Sequence, residues 1–191
     1  MLIDELKNIA RNNGIVGAGG AGFPAYAKMT EKADTVILNC VECEPLLKLH
    51  RQLLATHTEE IIQMLDEVRE SFGAKEAVIG IKSEYVTTIK AIEEVIGDFP
   101  NVRICALKAA YPMGDEVVLI YEATGRVIKP GGLPIDENVV VYNVETMYNL
   151  YRAVHLNIPV TNKLVSIVCL LYTSSEPTRR SYISYAVFCL K

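Results

Sequence analysis

The residues from Gly14 to Lys28 read GIVGAGGAGFPAYAK, and Gly17, Gly19 and Gly22 within them spell G-x-G-x-x-G. That spacing is the fingerprint of dinucleotide-binding Rossmann units, where a strand aims a tight turn and the next helix receives a pyrophosphate. Here a helical pattern precedes the glycines, and Phe23-Pro24 interrupts the segment after them. The ordinary Rossmann context is absent. The physical content of the glycines remains: Gly17, Gly19, Gly20 and Gly22 permit positive φ and leave no Cβ between the backbone and a ligand. Successive free N–H groups in such a loop make an anion-binding concavity, and Lys28 brings a positive charge close behind. A phosphate is the natural guest.

A second group with chemical potential is Cys40-Val41-Glu42-Cys43. A C-x-x-C pair after a strand is where a thioredoxin-like protein carries its thiols. Glu42 and Glu44 place negative charge beside both sulfurs, which raises a thiol pKa where a reactive thiolate needs it lowered. One pair is also half a zinc site. A thiol-redox or metal-binding protein using Cys40 and Cys43, and a non-catalytic assembly domain, stand as alternatives to a nucleotide site. A further reading makes both cysteines small packing residues. His50, His57 and His155 are isolated and are expected at the surface or in packing. Lys48, His50 and Arg51 follow Pro45 and mark a basic rim near the nucleotide or, more simply, a solvated helix face. Tyr26, Tyr85, Tyr142, Tyr148 and Tyr151 are scattered and are expected at domain edges.

These residues need elements to hold them. Leu2, Ile3, Leu6, Ile9 and Ala10 repeat at helical spacing and Gly14 stops them, so a short amphipathic helix opens the chain. Thr35 to Leu38, TVIL, predicts a buried strand ending at Asn39-Cys40, and a polar segment with Pro45 comes next. Thr58 is placed to cap a helix with Ile61, Ile62, Leu65, Val68 and Phe72 on one face and Gly73 just past its end. A strand is expected at Ala77 to Ile81, then a helix from Ser83 with Val86, Ile89, Ile92, Val95 and Ile96 inward, then a strand at Val102 to Leu107. A helix near Asp115 to Ala123, a loop over Gly125 to Asn138, a strand at Val139 to Tyr142 and a helix capped by Asn143 complete the order. Alternating strands and helices predict an α/β fold, a mostly parallel sheet covered by helices.

Composition agrees with a globular domain: of 191 residues, 50% are hydrophobic and 22% charged, enough for one α/β domain or a domain and a fragment. The net charge of −4, with no basic stripe, argues against nucleic acid as a partner. Leu164 to Leu171, the longest apolar run, is interrupted by Ser166 and falls short of the roughly 20 residues of a membrane span. The N-terminus lacks the pattern of a secretory signal, and five cysteines, an odd number, suit free thiols better than a disulfide framework. A cytoplasmic location is expected. The last 23 residues differ: three cations against one acid give them +2 of the total −4, leaving −6 for residues 1–168. Cys169 to Ser174, CLLYTS, is what TGT CTC TTA TAC ACA TCT encodes, and it resembles the end of a transposon-type sequencing adapter. Residues 169–191 are therefore expected to be a translated assembly artefact, with a natural C-terminal strand and tail as the alternative. On the first reading the natural protein continues beyond Val168.

Four stretches carry a resemblance. GAGGAGFPAYAK, then NCVECEP, then AYPMGDE, then YNVET are similar, in order and spacing, to the motifs of one flavin- and NADH-binding domain. It is shared by the NADH-binding flavoprotein subunit of respiratory complex I, the C subunit of Rnf-type electron-transport complexes, and the flavoprotein cobalamin reductase of propanediol utilisation. The resemblance spans about Gly14 to Val168. YPMGDE and the Gly131 to Pro134 GGLP loop are most similar to the Rnf and cobalamin-reductase members.

The resemblance implies a Rossmann-like three-layer domain, its glycine loop preceded by a helix, over residues 1–163. Residues 164–168 would begin a following β domain. It implies FMN and NADH as cofactors, wrapped by Gly17, Gly19, Gly20, Ala21 and Gly22, with Lys28 near the flavin phosphate and Phe23 stacking on the nicotinamide nucleotide. Asn39 and Glu42 would lie at the flavin, Glu44 at NADH, and Tyr111, Gly114, Asp115 and Glu116 in a second loop around both. Asn143 would hold the FMN phosphate, which also follows from its place where a strand gives way to a helix N-terminus. Hydride would pass from NADH to flavin with no catalytic side chain, and electrons would go on to 4Fe-4S clusters. Each cluster needs about four cysteines. Residues 1–168 hold three, so the clusters are expected in a missing C-terminal part. The implied partners are an electron-acceptor protein or membrane-complex subunits, which would place the protein beside a membrane complex or within a microcompartment. Ala18 stands where complex I has arginine and Val41 where it has aspartate, removing one charge of each sign from the site.

Overall fold

Four runs rich in β-branched residues pair into one sheet. The computed structural model describes residues 1–19, 22–44 and 46–165. In it β1 (Thr35–Cys40), β2 (Glu76–Lys82), β3 (Val102–Leu107) and β4 (Val139–Asn143) are all parallel, in the order β3-β2-β1-β4. Thr35 pairs with Glu76 on one side and Val139 on the other, so β1 and β4 end level at their carboxyl ends. The expected mostly parallel sheet is parallel throughout its four strands.

Parallel strands require crossover connections, and the helices supply them. α2 (Leu49–Thr56) and α3 (Thr58–Phe72) join β1 to β2, α4 (Val86–Val95) joins β2 to β3, and α5 (Glu116–Thr124) joins β3 to β4. α1 (Ile3–Asn12) precedes the sheet and α6 (Val144–Leu156) comes after it. One face of β1 and β4, with Val36, Leu38, Cys40, Val140 and Tyr142, packs with α1, α3 and α6 into the larger core. The other face, with Ile37, Val41, Val139 and Val141, packs on Leu119, Ile120 and Ala123 of α5. Alternation along each strand feeds the two layers. The connection from β3 crosses over the sheet to the far side of β1, so strand order reverses between β1 and β4.

Several local expectations are corrected. The polar stretch after Pro45 contains α2, whose His50, Leu53 and Leu54 are buried. Thr58 does not cap α3: it is the first helical residue, and its Oγ1 donates to the Leu54 carbonyl at 2.7 Å. Gly73 ends that helix at φ 68°, as expected. Val86, expected inward, is 55% exposed at the start of α4. Tyr142 and Tyr85 are buried rather than at a domain edge. Within the expected loop at 125–138, Pro134–Glu137 forms a 3-10 turn. Residues 166–191, including the suspected artefact and the last part of the expected β-domain start, lie outside the described residues.

Candidate cofactor-binding site

The reversal of strand order leaves a crevice at the carboxyl ends of β1 and β4, the place where open α/β sheets take ligands. A cavity of about 240 Å³ opens there, lined among others by Gly17, Gly22, Phe23, Lys28, Asn143 and Thr146. Asn39, Glu116 and Val141 complete its floor. The glycine loop reaches this crevice from α1, not from a strand.

The loop is tied down at its base. Val16 and Pro24 form an antiparallel bridge, and the Gly17 N–H donates to the Phe23 carbonyl at 2.8 Å. The first turn of α6 grips it from below: Ala18 N–H donates to Thr146 Oγ1 at 2.9 Å, and Asn143 Nδ2 donates to the Ala18 carbonyl at 2.7 Å. Gly19 and Gly22 hold φ of 78° and 73°, which a side chain would strain. A Cβ on Gly22 would meet no protein atom within 4 Å. The wall stays thin beside open space, which suits close approach of a ligand to backbone. Gly20 and Ala21 lie outside the described residues.

Lys28 ends the 3-10 turn Ala25–Lys28. Its ammonium donates to Glu116 Oε1 and to the Val141 carbonyl, each at 3.4 Å. Glu116 opens α5 and so brings the second loop to the crevice. Asn39 joins that loop to β1, donating through Nδ2 to the Gly114 carbonyl at 3.1 Å while Oδ1 accepts the Val41 N–H at 2.9 Å. Phe23 stands at the rim, 52% exposed.

Other expected site residues sit differently. Asp115 is the N-cap of α5, accepting from the N–H groups of Val117 and Val118. Glu44 is exposed, and Tyr111 is 83% exposed. Neither lines the cavity. Glu42 is buried behind β1: Oε1 accepts the His50 N–H at 2.7 Å, while Oε2 faces Arg51 Nε at 3.6 Å, an ion pair too long for a hydrogen bond. Burial pushes its carboxyl pKa up, and the His50 N–H and the Arg51 guanidinium oppose this. Asn143 occupies the N-cap position of α6, but its side chain turns to Ala18 instead of the helix.

Thr146 was not among the expected site residues, and His50, expected in a basic rim or a solvated helix face, is buried. Thr146 lies in the YNVET stretch, but its role emerges only from the return of the chain onto Ala18. His50 was obscured with α2; the i, i+4 pairs Leu49/Leu53 and His50/Leu54 were the available signal. Its ring lies under Gly19, and its Nε2 has no partner among the described residues.

Cys40 does not suit redox work: it is fully buried, and burial, then the Glu42 charge, push its pKa far above the ordinary thiol range. Among the described residues, no three His, Cys, Asp or Glu side chains gather to hold a metal ion. No helix among them is long and apolar enough to cross a membrane.

The model of the Nuo51 FMN-binding domain family matches residues 10–152. The chain belongs to that family. It is 39% identical over 162 residues to cobalamin reductase PduS of Citrobacter freundii, a match covering 85% of this chain and 36% of that protein. It is 33% identical over 167 residues to the C subunit of the Na+-translocating ferredoxin:NAD+ oxidoreductase complex of Acetobacterium woodii, covering 85% of this chain and 38% of that protein. The chain thus spans little more than a third of these curated relatives. A chain of NAD+-reducing NiFe-hydrogenase in the H2-reduced state superposes with a TM-score of 0.67 at 25% identity, over 79% of this chain and 30% of that one. The family accounts for the fold: an α/β FMN-binding domain whose glycine loop comes ahead of the first strand.

Proposed function

We propose that the crevice binds FMN and receives NADH against it, so that this domain is the electron-entry unit of an NADH-linked oxidoreductase. FMN held there would supply the redox chemistry, taking hydride from NADH and releasing electrons singly. One observation carries the reading: the glycine loop, the start of α6, a lysine and an aromatic rim meet at the β1/β4 switch point.

The residues fit the group. The first turn of α6 has free N–H groups to offer a phosphate, and Asn143 and Thr146 fix the glycine loop at that helix start. Lys28 adds the positive charge, and Glu116 with the Val141 carbonyl keeps it aimed into the crevice. Gly17, Gly19 and Gly22 let the ligand approach the backbone, with Gly20 and Ala21 assigned on the resemblance alone. Phe23 offers a flat apolar face at the mouth for a nicotinamide ring. Asn39 shapes the floor, held by its bond to the Gly114 carbonyl, and Glu42 sits behind it. Glu44 and Tyr111, both exposed, form the outer rim where NADH would enter. Asp115 acts through the helix it caps.

Residues 1–163 make up this domain in our reading, with 164–168 starting a β domain and 169–191 foreign to the natural protein. Electrons would leave for iron–sulfur clusters outside the 191 residues, in a cytoplasmic protein attached to an electron-acceptor complex. The test is reconstitution of the 191-residue chain with FMN. A visible flavin band that survives desalting and bleaches anaerobically on adding NADH supports the proposal; a colourless protein after desalting refutes it.

A further inference from the structure

Among the buried polar groups lining the glycine loop, His50 is the one still without a chemical role. The residue is 8% exposed, at the second position of α2. Its backbone N–H serves Glu42, but its side-chain Nε2 is buried with no hydrogen-bond partner among the described residues. An imidazole nitrogen left so costs stability, and a leucine of similar volume would avoid that cost. Such a group calls for a reason, and a ligand-bound state that satisfies it is one.

The surroundings indicate which state. A Cβ built on Gly19 would lie 3.5 Å from His50 Nε2, 3.4 Å from its Cε1 and 3.4 Å from Asn143 Nδ2. Two nitrogen-bearing side chains therefore converge beneath one glycine that has none. Asn143 is committed to the Ala18 carbonyl. His50 is not committed. The charged groups facing the ring are Glu145 of α6 and Lys163 of the segment after it, and these two pair with each other. Burial first, and Lys163 after it, hold the His50 pKa down to about 4 against the pull of Glu145, so the ring is neutral near pH 7. A neutral imidazole with its proton on Nε2 is a donor without the desolvation cost of a full charge.

We propose that His50 is a positioning residue for the phosphate of the bound nucleotide: it supports Gly19 from beneath, and its Nε2–H finds its acceptor when a phosphoryl oxygen settles beside Gly19 in the space that a side chain there would fill. This rests on the crevice being the FMN site. It predicts opposite effects on stability and on binding, which a residue that merely packs would not give.

The experiment compares the 191-residue chain with His50→Leu, His50→Gln and His50→Asn, measuring the Tm of the ligand-free protein and the Kd for FMN and for riboflavin, which lacks the phosphate. The expected result is that His50→Leu keeps or raises Tm yet binds FMN about tenfold more weakly. His50→Gln, whose amide nitrogen reaches the Nε2 position, should stay within about threefold, and His50→Asn, which falls short of it, should lose about tenfold. Riboflavin affinity should be the same for all four. Equal FMN affinity in His50→Leu, equal losses in the Gln and Asn variants, or a riboflavin loss matching the FMN loss overturns the proposal. If His50→Leu does not fold, the Gln and Asn pair decides. Failure of the unsubstituted chain to bind FMN would instead refute the site itself.

Discussion

Gly114→Ala is the sharpest perturbation that the packing offers. Gly114 is not among the glycines with positive φ, so its conformation alone does not demand glycine. Its surroundings do. A Cβ there would lie 2.2 Å from the Val41 carbonyl oxygen and 2.7 Å from Cys43 Sγ. The Val41 N–H is already held by Asn39 Oδ1 at 2.9 Å, so the backbone after β1 has little room to retreat. The loop before α5 must lift instead, which breaks the bond from Asn39 Nδ2 to the Gly114 carbonyl. Overpacking of this kind costs about 1–3 kcal/mol and the lost hydrogen bond about 1 kcal/mol, together about 2–4 kcal/mol. For a domain of this size, each kcal/mol lowers Tm by about 2–4 °C, giving a fall of about 4–16 °C by circular dichroism. Gly80→Ala is the internal control, because its Cβ would meet only the Cδ1 tip of Leu119 at 2.5 Å, a side chain that can change rotamer. A Gly114→Ala Tm within about 2 °C of the parent, or a larger fall at Gly80, would refute the argument.

Three other outcomes are expected. Lys28→Met should weaken FMN binding about 10- to 100-fold in fluorescence titration, the worth of one charge-assisted hydrogen bond, while shifting Tm little because its pair with Glu116 is partly exposed. Asp115→Ala should cost about 1 kcal/mol in urea unfolding through the lost α5 cap, and Asp115→Asn should recover most of it, since asparagine caps as well. His50 is held neutral in the folded state and protonates with a pKa near 6.5 when unfolded, so its contribution to stability is complete above pH 6.5 and is lost as pH falls toward about 4. The parent should lose up to about 3 kcal/mol more than His50→Leu over that range in urea titrations.

The strands were legible because buried parallel strands read as continuous β-branched runs, as TVIL and VVVY do. α3 was legible by its one-sided Ile61, Ile62, Leu65, Val68 and Phe72, and by Gly73 at its end. α2 was not: its eight residues carry Lys48, His50 and Arg51 at the start, and two of those turn inward only because Glu42 and Gly19 wait there. No local pattern encodes that. Side chains placed correctly in an element likewise took unexpected partners. Asn143 sits at the head of α6 yet turns to Ala18, 125 residues earlier, and Asp115 lies in a site motif yet spends its carboxylate on its own helix. Local sequence assigns positions, whereas such partners depend on the whole chain having folded.

The glycine loop shows the same dependence at the level of function. In an ordinary Rossmann unit the loop comes directly after β1, so one strand both aims the turn and ends at the ligand. Here the loop precedes β1 and is aimed by other means: the Val16–Pro24 bridge closes its neck, and Asn143 and Thr146 fix its base to α6. Because those two residues lie at and beyond the end of β4, the seat of the loop exists only where β4 is docked beside β1. A change that loosens β4 should therefore empty the site even where every glycine is intact. Thr146→Val isolates this link, since it removes the Oγ1 that holds the Ala18 N–H and leaves a side chain of nearly the same shape. FMN affinity should then fall by about tenfold with β4 and α6 still folded, and unchanged affinity would mean that the neck of the loop suffices to aim it.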